Sequence, residues 1–414
     1  MATHSKRKQR SLVEEVRRDI NIVAAGLLHD LAILQSSERS AFGYKRAAKA
    51  LAGGIDRSVV DLVEEGTVRD IPFVGAASER VVTELVRTGG SASVDAAVSA
   101  SAKKSEVEKR RRFRRAYLSR HALRLVLDAP LPPSVVSTRT YRGDLQMHST
   151  WSDGGESIAD LAEAAHELGW GRIGVTDHSY GLPIARGMSM ESAIRQHHEI
   201  DEINARFSGR VRVYKGVEAN ILADGALDLT EDERSVFEYV LASPHSQLRK
   251  ETDQTARMLV AVKAAGVAIL GHPQGRVYNT RPGISADWRK VFREAAARDV
   301  AIEIDGNWHR QDVDYELAEV ALEEGCLFAL DSDAHSIAEL PFTDYAIAHA
   351  RIAQVPTDRV VNCWEESRFD DWLRERRGSG PPRARTRGPA TAAPATAHAP
   401  APRPRRTQRK KGTL

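Results

Sequence analysis

The sequence predicts an α/β protein whose main domain, over residues 141–375, is a (β/α)7 barrel of the TIM type. From residue 141 onward, seven hydrophobic strand segments alternate with amphipathic helical segments. Most of these strand segments end in His, Asp or Glu, and in a barrel the strand C-terminal ends meet at one face. A doubly wound open sheet is the alternative, and it explains the polar strand ends less well. A small all-helical domain over 11–90 precedes the barrel, and a basic tail over 376–414 follows it.

The helical domain is predicted by apolar residues at helical spacing, as in SLVEEVRRDINIVAAGLLHDLAILQ. Near its end, IPFVGAASERVVTELVRTGG places a Pro and a Gly between two short helical stretches, which is typical of a helix–hairpin–helix. Such a hairpin exposes backbone N–H groups at a helix N-terminus, where a phosphate can bind. Val74 and Gly75 are therefore candidate DNA contacts, and an ordinary α-hairpin is the alternative.

A connector over 91–140 contains EVEKRRRFRRAYLSRHALRLVL, which predicts a strongly basic helix before the proline-rich segment at 130–133. Arg111 and Arg112 are candidate DNA contacts, because aromatic side chains stand among the arginines of this segment. A solvated charged face is the alternative. We expect the whole connector to be helical and basic.

The predicted strands are YRGDLQMH, GRIGVTDH, RVRVYKGVEAN, FEYVLASPHS, VAILGHPQG, VAIEIDGN and CLFALDSDAH. Segments such as ESIADLAEAAHELG and DWRKVFREAAARD predict the helices between them. Eight candidate metal ligands lie at or just after the strand ends. They are His148, Asp153, His178, Glu218, His245, His272, Asp333 and His335. One such histidine is more often a structural residue, but five beside turn signals are difficult to explain independently.

Neutral imidazole together with carboxylate is a ligand set for zinc, manganese or iron. Eight ligands exceed the needs of one tetrahedral site, so the set predicts two or three divalent ions as cofactors. Glu218 is the best candidate to bridge two ions, because one carboxylate has two oxygens. Such sites activate water and stabilise the attacking and leaving oxygens of a phosphoryl displacement. The chain has no G-x-S-x-G or P-loop pattern that would indicate another chemistry.

Three cations close to the predicted strand ends are candidates for contacting substrate phosphates: Lys215, Arg276 and Arg281. Surface charge is the alternative for each of them. Most other histidines are predicted at exposed positions, with His349 on a helix surface, and His309 stays ambiguous.

Composition bounds the remaining possibilities. Two cysteines cannot form a disulfide framework, and no apolar run predicts a signal sequence or a membrane span, so we expect a cytoplasmic protein. The net charge is +3, and residues 378–414 carry nine Lys and Arg with no acidic residue. That Pro-, Ala- and Arg-rich tail predicts disorder, and it is either an electrostatic tether for nucleic acid or a solubilising segment.

Residues 141–350 resemble the polymerase and histidinol phosphatase (PHP) family, because DLQMHSTWSDG, TDH, GVE, the His of SPHS, GHP and SDAH stand in its order. The resemblance implies a distorted (β/α)7 barrel, two or three metal ions and hydrolysis of phosphate esters. It implies three groups of ligands. They are Gln146, His148, Glu218 and Asp333; Glu218, His245 and His272; and Asp153, His178 and His335. Many members have His where Gln146 stands, and an amide oxygen is a weaker ligand than imidazole.

TDHSYGLPIARGMS and GHPQGR are similar to the PHP region of bacterial family X DNA polymerases. SAFGYKRAAKAL followed by IPFVGAASERVVTELVRTG is similar to the N-terminal domain of that family, although Phe73 stands where the hairpin usually has Gly. About 50 residues separate the two regions, which is too short for a polymerase palm. The resemblance therefore implies a related architecture without polymerase activity.

These features predict a metal-dependent phosphoesterase that acts on DNA, as a 3′–5′ exonuclease, a 3′-phosphatase or an abasic-site nuclease in DNA repair. His148, Glu218 and Asp333 are its predicted catalytic residues. One alternative is a small-molecule phosphatase of the histidinol-phosphatase type. Another is a DNA-binding protein whose metal site is inactive or regulatory.

Overall fold

The computed structural model describes residues 14–130 and 132–377, so most of the predicted basic tail lies outside the described residues. The N-terminal third of the described chain is helical. Its helices are α1 (Ile20–Leu34), α2 (Glu38–Lys49), α3 (Val59–Glu64), α4 (Ala76–Thr88), α5 (Ala92–Ser99), α6 (Lys104–Arg112) and α7 (Arg120–Asp128). A π-helical turn over Ala50–Gly54 extends α2.

The core of the helical domain extends past the predicted boundary at residue 90. Val94 and Val98 of α5 and Val107 of α6 pack in the same buried cluster as Leu28 and Leu51. Residues 91–112 therefore complete the helical domain. The predicted single basic helix is interrupted between α6 and α7, because the Ser119 side chain caps the start of α7 by accepting from the Ala122 N–H.

The segment predicted as a hairpin connects the 3₁₀ turn Val68–Asp70 to α4, whose N-cap residue is Gly75. Phe73 has a φ of 70°, a left-handed conformation that favours glycine. The Phe73 side chain is 54% exposed, whereas Val74 beside it is buried. This turn therefore presents a phenyl ring to its surroundings.

The C-terminal two thirds of the chain build a parallel sheet of six strands, ordered in the sheet as they are in the chain. The strands are β1 (Arg172–Val175), β2 (Arg212–Asn220), β3 (Tyr239–Ser243), β4 (Val267–Leu270), β5 (Ala301–Asp305) and β6 (Leu327–Asp331). The helices around them are α8 (Ile158–Glu167), α9 (Met190–Arg206), α10 (Glu231–Arg234), α11 (Thr255–Lys263), α12 (Trp288–Ala297), α13 (Tyr315–Glu323), α14 (Thr343–Ile352) and α15 (Glu366–Arg377).

The segment predicted as the first strand closes the sheet into a ring. Met147 forms parallel bridges with Val175 at the end of β1 and with Ala334 just after β6. The His148 N–H donates to the Ala334 carbonyl at 2.9 Å, and the Thr176 N–H donates to the Met147 carbonyl at 2.9 Å. The predicted barrel is therefore confirmed, with six strands and one bridging segment.

The bridging segment is too short to count as a seventh strand, because a side chain replaces part of its pairing. The Asp144 carboxylate accepts from the N–H of Gln146 at 3.0 Å and from the N–H of Ser332 at 3.2 Å. Those N–H groups are thus satisfied by a carboxylate where a strand ladder would use carbonyl groups.

Alternation along the strands separates an inner core from an outer one. Tyr214, Tyr239 and Leu241 point into the barrel, whereas Val213 and Val240 pack against the surrounding helices. The inner core continues into α15, whose buried aromatic residues close the end of the barrel at which the strands begin. The opposite end, where the strands finish, remains lined by polar residues.

Buried polar contacts attach the helical domain to loops at the C-terminal ends of the strands. The Arg114 guanidinium donates to Asp30 of α1 at 2.7 Å and to the Asn279 side chain, in the loop after β4, at 2.7 Å. From the same loop, Arg276 donates to the Arg115 carbonyl at 2.8 Å. The helical domain therefore lies beside the polar end of the barrel.

The prediction that His349 lies on a helix surface is wrong. Its side chain is fully buried, because α14 packs between the barrel and α7. His349 Nδ1 accepts from the Tyr315 N–H at 3.0 Å, and Nε2 lies 2.8 Å from the Gln311 amide oxygen. Burial, with the charge of Arg276, lowers the pKa of His349 to about 3, so this residue is a neutral internal connector. Separately, no helix within residues 14–130 or 132–377 has the length and apolar character needed to span a bilayer.

Candidate metal centre

Glu218 lies in the middle of the polar cluster. On β2, Tyr214 points into the barrel, and Glu218, four residues later, faces the same side, so its carboxylate lies on the inner face and is 1% exposed. Its Oε1 lies 2.9 Å from His272 Nε2 and 3.3 Å from His245 Nε2. Its Oε2 lies 3.1 Å from His178 Nδ1 and 3.4 Å from His148 Nε2. One carboxylate therefore faces four imidazoles with its two oxygens.

A second carboxylate contacts one of these imidazoles at a buried position. Asp333, in the loop after β6, places Oδ1 3.2 Å from His148 Nε2 and is almost completely buried. Its φ is 53°, so a non-glycine residue occupies a left-handed conformation at this point. Backbone strain of this kind is common where a side chain must be aimed at a functional site.

A third carboxylate lies at the open end. Asp153 Oδ1 is 3.3 Å from His335 Nε2, 3.7 Å from His178 Nε2 and 4.0 Å from His148 Nδ1. The Asp153 and His335 side chains are each 30% exposed, so solvent and a substrate reach the cluster from this side. Although burial raises the pKa of Asp153, the hydrogen bond and charge of His335 outweigh burial and lower it to about 2.

The arrangement fits divalent cations because imidazole nitrogens and carboxylate oxygens converge, and several of these buried atoms lack a hydrogen-bond partner. Glu218 Oε2, His148 Nδ1, His178 Nδ1 and His272 Nδ1 are buried and lack a hydrogen-bond partner. Burial lowers the pKa of His178 to about 3 and that of His272 to about 4, which favours the neutral imidazole that binds metals. Three overlapping groups each have ligand atoms within 4.8 Å of one another. They are His148, Asp153, His178 and His335; His178, Glu218 and His245; and His148, Glu218 and Asp333.

Gln146 lies beside this cluster with a partner that sequence reasoning missed. With its amide nitrogen directed to Glu303, that nitrogen lies 2.9 Å from Glu303 Oε2. In this orientation the carbonyl oxygen of the Gln146 amide lies 3.3 Å from Asp333 Oδ1, on the side of the cluster that holds His148. Glu303 is fully buried on β5 and also accepts from the His272 N–H at 2.6 Å. Glu303 therefore orients both a candidate ligand side chain and the backbone of another.

A buried aspartate organises the loop that carries Asp153. Asp177 accepts from the Ser149 N–H at 2.8 Å, from Ser152 Oγ at 2.5 Å and from Gln196 Nε2 at 2.6 Å. Because Ser149 and Ser152 of this loop and Gln196 of α9 all donate to one buried carboxylate, Asp177 ties the loop to α9. A strand-end Asp directly before a candidate ligand, as in TDH, is the sequence signal that could have identified Asp177.

Arg310 is the second residue that sequence reasoning missed. It lies in the loop after β5, with Nη2 3.1 Å from Asp333 Oδ2 and Nε 3.6 Å from Asp305 Oδ2. Its position just past a predicted strand end, in AIEIDGNWHR, was the available signal. Arg310 brings a positive charge to the edge of the cluster, where an anionic substrate would lie.

The three cations predicted to contact phosphates occupy different places. Lys215 points outward from β2 and pairs with Asp201 of α9 at 2.6 Å, so it is not part of the cluster. Arg276 is buried in an ion pair with Asp314 and lies over the Tyr117 ring at 3.8 Å, so it connects the domains. Arg281 donates to the Gly275 carbonyl. Burial, together with the charges of Arg310 and Arg249, lowers the pKa of Arg281 to about 10, which places it in a positively charged neighbourhood.

The four predicted DNA contacts are also divided. Val74 is buried, and Gly75 is exposed at the N-terminus of α4. Arg111 pairs with Asp30 at 2.7 Å and with Asp95 at 2.8 Å, so its guanidinium is already used inside the helical domain. Arg112 is exposed and forms no ion pair with any described residue. Of the two arginines, only Arg112 is available for an external phosphate.

Comparison with known proteins identifies the barrel. Residues 144–306 match the model of the PHP domain. The chain is 36% identical over 222 residues to the DNA polymerase/3′-5′ exonuclease PolX of Bacillus subtilis. That alignment covers 53% of this chain but only 39% of the relative, so the chain spans well under half the length of that relative. It is also 28% identical over 228 residues to a probable phosphatase of Aliivibrio fischeri, which covers 52% of this chain and 86% of the relative.

Among solved structures, histidinol phosphate phosphatase from Lactococcus lactis, in complex with zinc, L-histidinol and phosphate, aligns with a TM-score of 0.38. The alignment has 17% identity and covers 51% of this chain and 94% of that protein. The match places residues 144–306 in the PHP family, and the cluster draws its ligands from this region and from the loop after β6. The resemblance to the PHP family is therefore confirmed for these residues, and it supports a metal-dependent phosphoesterase.

Proposed function

We propose that the protein hydrolyses phosphoester bonds in DNA at the PHP metal centre, as a 3′–5′ exonuclease or an end-processing phosphatase. The observation that carries the proposal is Glu218, whose two oxygens face four imidazoles in a pocket that opens beside a helical domain. The pocket supplies the hydrolytic chemistry, and the adjacent domain supplies a surface for a substrate larger than a small phosphomonoester.

The donor set is suited to two or three divalent ions, with zinc, manganese and iron as the candidates. Gln146, His148, Glu218 and Asp333 would hold one ion, Glu218, His245 and His272 a second, and Asp153, His178 and His335 a third. When bound, such ions acidify water and neutralise charge on a phosphoryl group. Glu218 would contribute to two of these sites, because its two oxygens face different imidazoles.

The residues around the ions would orient the substrate. Arg310 lies next to Asp333, and its positive charge helps to lower the pKa of Arg281, so the two guanidinium groups share one neighbourhood. Both can donate to non-bridging phosphate oxygens. Asp153 and His335 form the exposed edge of the centre, where the scissile phosphate would enter. Asp177 holds that edge in place through the serines of its loop.

Three features support DNA as the substrate. The relative in Bacillus subtilis is a DNA polymerase/3′-5′ exonuclease, and it is 36% identical to this chain over 222 residues. The helical domain contacts loops at the open end of the barrel, through Arg114 and Asn279. Exposed cations that form no ion pair with a described residue, such as Arg112, lie on that domain. Contacts of this kind give salt-dependent, sequence-independent affinity.

The test is hydrolysis of 3′-labelled and 5′-labelled oligonucleotides with added Mn²⁺, alongside p-nitrophenyl phosphate, for the wild type and His148→Gln. We expect stepwise shortening or 3′-dephosphorylation of DNA by the wild type and loss of both DNA and small-ester hydrolysis in the variant. A thermal melt verifies that the variant is folded. Full DNA hydrolysis by folded His148→Gln would exclude this site.

A small-molecule phosphatase is the second candidate. One observation favours it: the aligned region covers 86% of a probable phosphatase, and every member of the metal cluster lies in the barrel. Turnover of p-nitrophenyl phosphate without any change in the oligonucleotides would select this candidate.

A further inference from the structure

A groove of about 790 Å³ lies between the helical domain and the barrel. On the helical side it is lined by Phe42, Arg46 and Lys49 of α2 and by Phe73. Residues 42, 46 and 49 share one face of α2, because they are spaced by four and three positions. On the barrel side the groove is lined by Trp308 and by the 3₁₀ helix Ile337–Phe342.

The groove combines exposed aromatic rings with cations that have no acidic partner. Phe42 and Phe73 are 58% and 54% exposed, although both are large apolar side chains. The Arg46 guanidinium carbon lies 3.4 Å from the Phe73 ring centroid and 5.5 Å from that of Phe42. Lys49 Nζ lies 5.3 Å from the Trp308 ring centroid. Among the described residues, neither Arg46 nor Lys49 forms an ion pair, whereas the groove's Asp344 lies 3.8 Å from Arg124.

This chemistry matches an unpaired nucleotide. Bases stack on phenyl and indole rings whatever their sequence, and cations beside the rings follow the phosphates of the strand. A guanidinium that lies flat on a ring keeps its N–H edge free to donate to a phosphate. A purely apolar partner would leave Arg46 and Lys49 desolvated and without a counter-charge.

The groove is adjacent to the metal centre through shared loops. The loop after β5 carries Trp308 on the groove side, and two residues later it carries Arg310 beside Asp333. The segment after β6 carries Asp333 and His335, and then continues into the 3₁₀ helix that forms the wall of the groove. A strand whose end is at the metal centre would therefore continue directly into the groove.

We propose that this groove binds unpaired nucleotides of the DNA strand that is hydrolysed at the metal centre, with bases on Phe42, Phe73 and Trp308 and phosphates at Arg46 and Lys49. The inference rests on the proposed function and specifies it: the substrate is a single-stranded or frayed DNA end rather than an intact blunt duplex. This inference explains why Phe73 occupies a backbone conformation that favours glycine. The phenyl ring supplies a stacking surface, whereas glycine would leave the groove open.

The experiment compares two substitutions in the groove with a matched control in the full-length, metal-loaded enzyme. Phe73→Gly removes a ring at a φ of 70° that glycine adopts without strain, so this variant is expected to fold. Lys49→Gln removes a cation from the groove, and Lys45→Gln removes an exposed cation one turn earlier on α2 that does not line it. The readouts are KM for a single-stranded oligonucleotide, turnover of p-nitrophenyl phosphate, and fluorescence quenching of 2-aminopurine in the strand.

We expect Phe73→Gly and Lys49→Gln each to raise KM for the single strand about tenfold and Phe73→Gly to weaken the quenching, since stacking and phosphate contacts are lost. The turnover of p-nitrophenyl phosphate should stay unchanged, and Lys45→Gln should match the wild type. Wild-type KM and quenching in both groove variants would overturn the inference while leaving DNA hydrolysis in place.

Two further outcomes separate the possible failures. If the wild type hydrolyses p-nitrophenyl phosphate but neither shortens the oligonucleotide nor quenches 2-aminopurine, the proposed DNA function fails and the groove inference fails with it. If Phe73→Gly changes the sedimentation of the protein from dimer to monomer without changing KM, the groove is a contact between two copies of the chain, which also overturns the inference.

Discussion

The metal centre and the helical domain both bury charged side chains, but they satisfy them in opposite ways. Around Glu218 the close contacts are imidazoles, and several ligand-type atoms, Glu218 Oε2 among them, lack a hydrogen-bond partner. In the helical domain, Asp30 is equally buried but accepts from Arg111 and Arg114, each at 2.7 Å. The first arrangement suits an external cation, whereas the second supplies its own and stabilises the fold. A buried carboxylate is therefore a site only when the protein leaves it unmatched.

The largest effect should come from the unmatched carboxylate. Glu218→Gln removes a charge that faces four imidazoles, so we expect hydrolysis to fall by more than about a thousandfold and metal content to fall with it. Metal analysis and p-nitrophenyl phosphate turnover measure the two effects, and a chelator should reproduce the loss in the wild type. Glu251→Gln, at a side chain that is 81% exposed, is the control. Normal metal content in Glu218→Gln would contradict the comparison.

The matched carboxylate should instead affect stability. Arg114→Ala leaves Asp30 buried with only Arg111 as partner, and we expect a loss of about 3 kcal/mol in the free energy of unfolding, with metal content unchanged. Urea unfolding of the metal-loaded protein measures the loss. Arg115→Ala, at a side chain that is 78% exposed, should cost less than about 1 kcal/mol. Equal losses in the two variants would mean that the buried pair is not what distinguishes the domain.

Glu303 lies beside the metal centre but, like Asp30, its carboxyl accepts hydrogen bonds within the protein. The donors are Gln146 and the His272 N–H, and Glu303 is fully buried. Glu303→Gln preserves the size of the side chain but replaces one of the carboxyl oxygens that accept from these groups. We expect metal affinity to weaken by roughly 10- to 100-fold, as is usual for residues that orient ligands. Metal titration provides the measurement. An unchanged affinity would show that Gln146 needs no support.

The buried neutral histidine predicts how stability depends on pH. The pKa of His349 is about 3 in the folded protein and near 6.5 when unfolded, so the unfolded chain binds the proton first. Stability should therefore fall as the pH drops from about 6.5 towards 3, by up to about 1.4 kcal/mol per pH unit from this residue. In urea unfolding at pH 7.5 and pH 5, the drop should be smaller in His349→Gln. An identical drop in both proteins would assign the acid sensitivity to other groups.

The smallest effect concerns Phe73. Because its φ of 70° suits glycine, Phe73→Gly should change the free energy of unfolding by less than about 1 kcal/mol and can even increase it. A thermal melt measures the change. A large loss of stability would mean that the ring packs as part of the core, despite its exposure, and that the groove has a structural role.

The sequence by itself determined the alternation of strands and helices and the polar residues at the strand ends, because both follow from local periodicity and from the geometry of parallel strands. His148, Glu218 and Asp333 could be placed at one face on that basis alone, and the structure brings them together. The family could be recognised for the same reason, since its motifs lie within single strand ends.

Only the tertiary structure decided which charges remain free. Arg276 and Arg111 look like phosphate ligands in the sequence, but Asp314 and Asp30, distant along the chain, occupy their guanidinium groups. The place of Arg310 just past a strand end is a local signal, but its contact with Asp333 depends on how the loop after β5 folds back. The groove between the helical domain and the barrel likewise requires two domains to meet. Local patterns report which face a residue occupies, whereas the satisfaction of a charge depends on partners that only the folded chain brings within hydrogen-bonding distance.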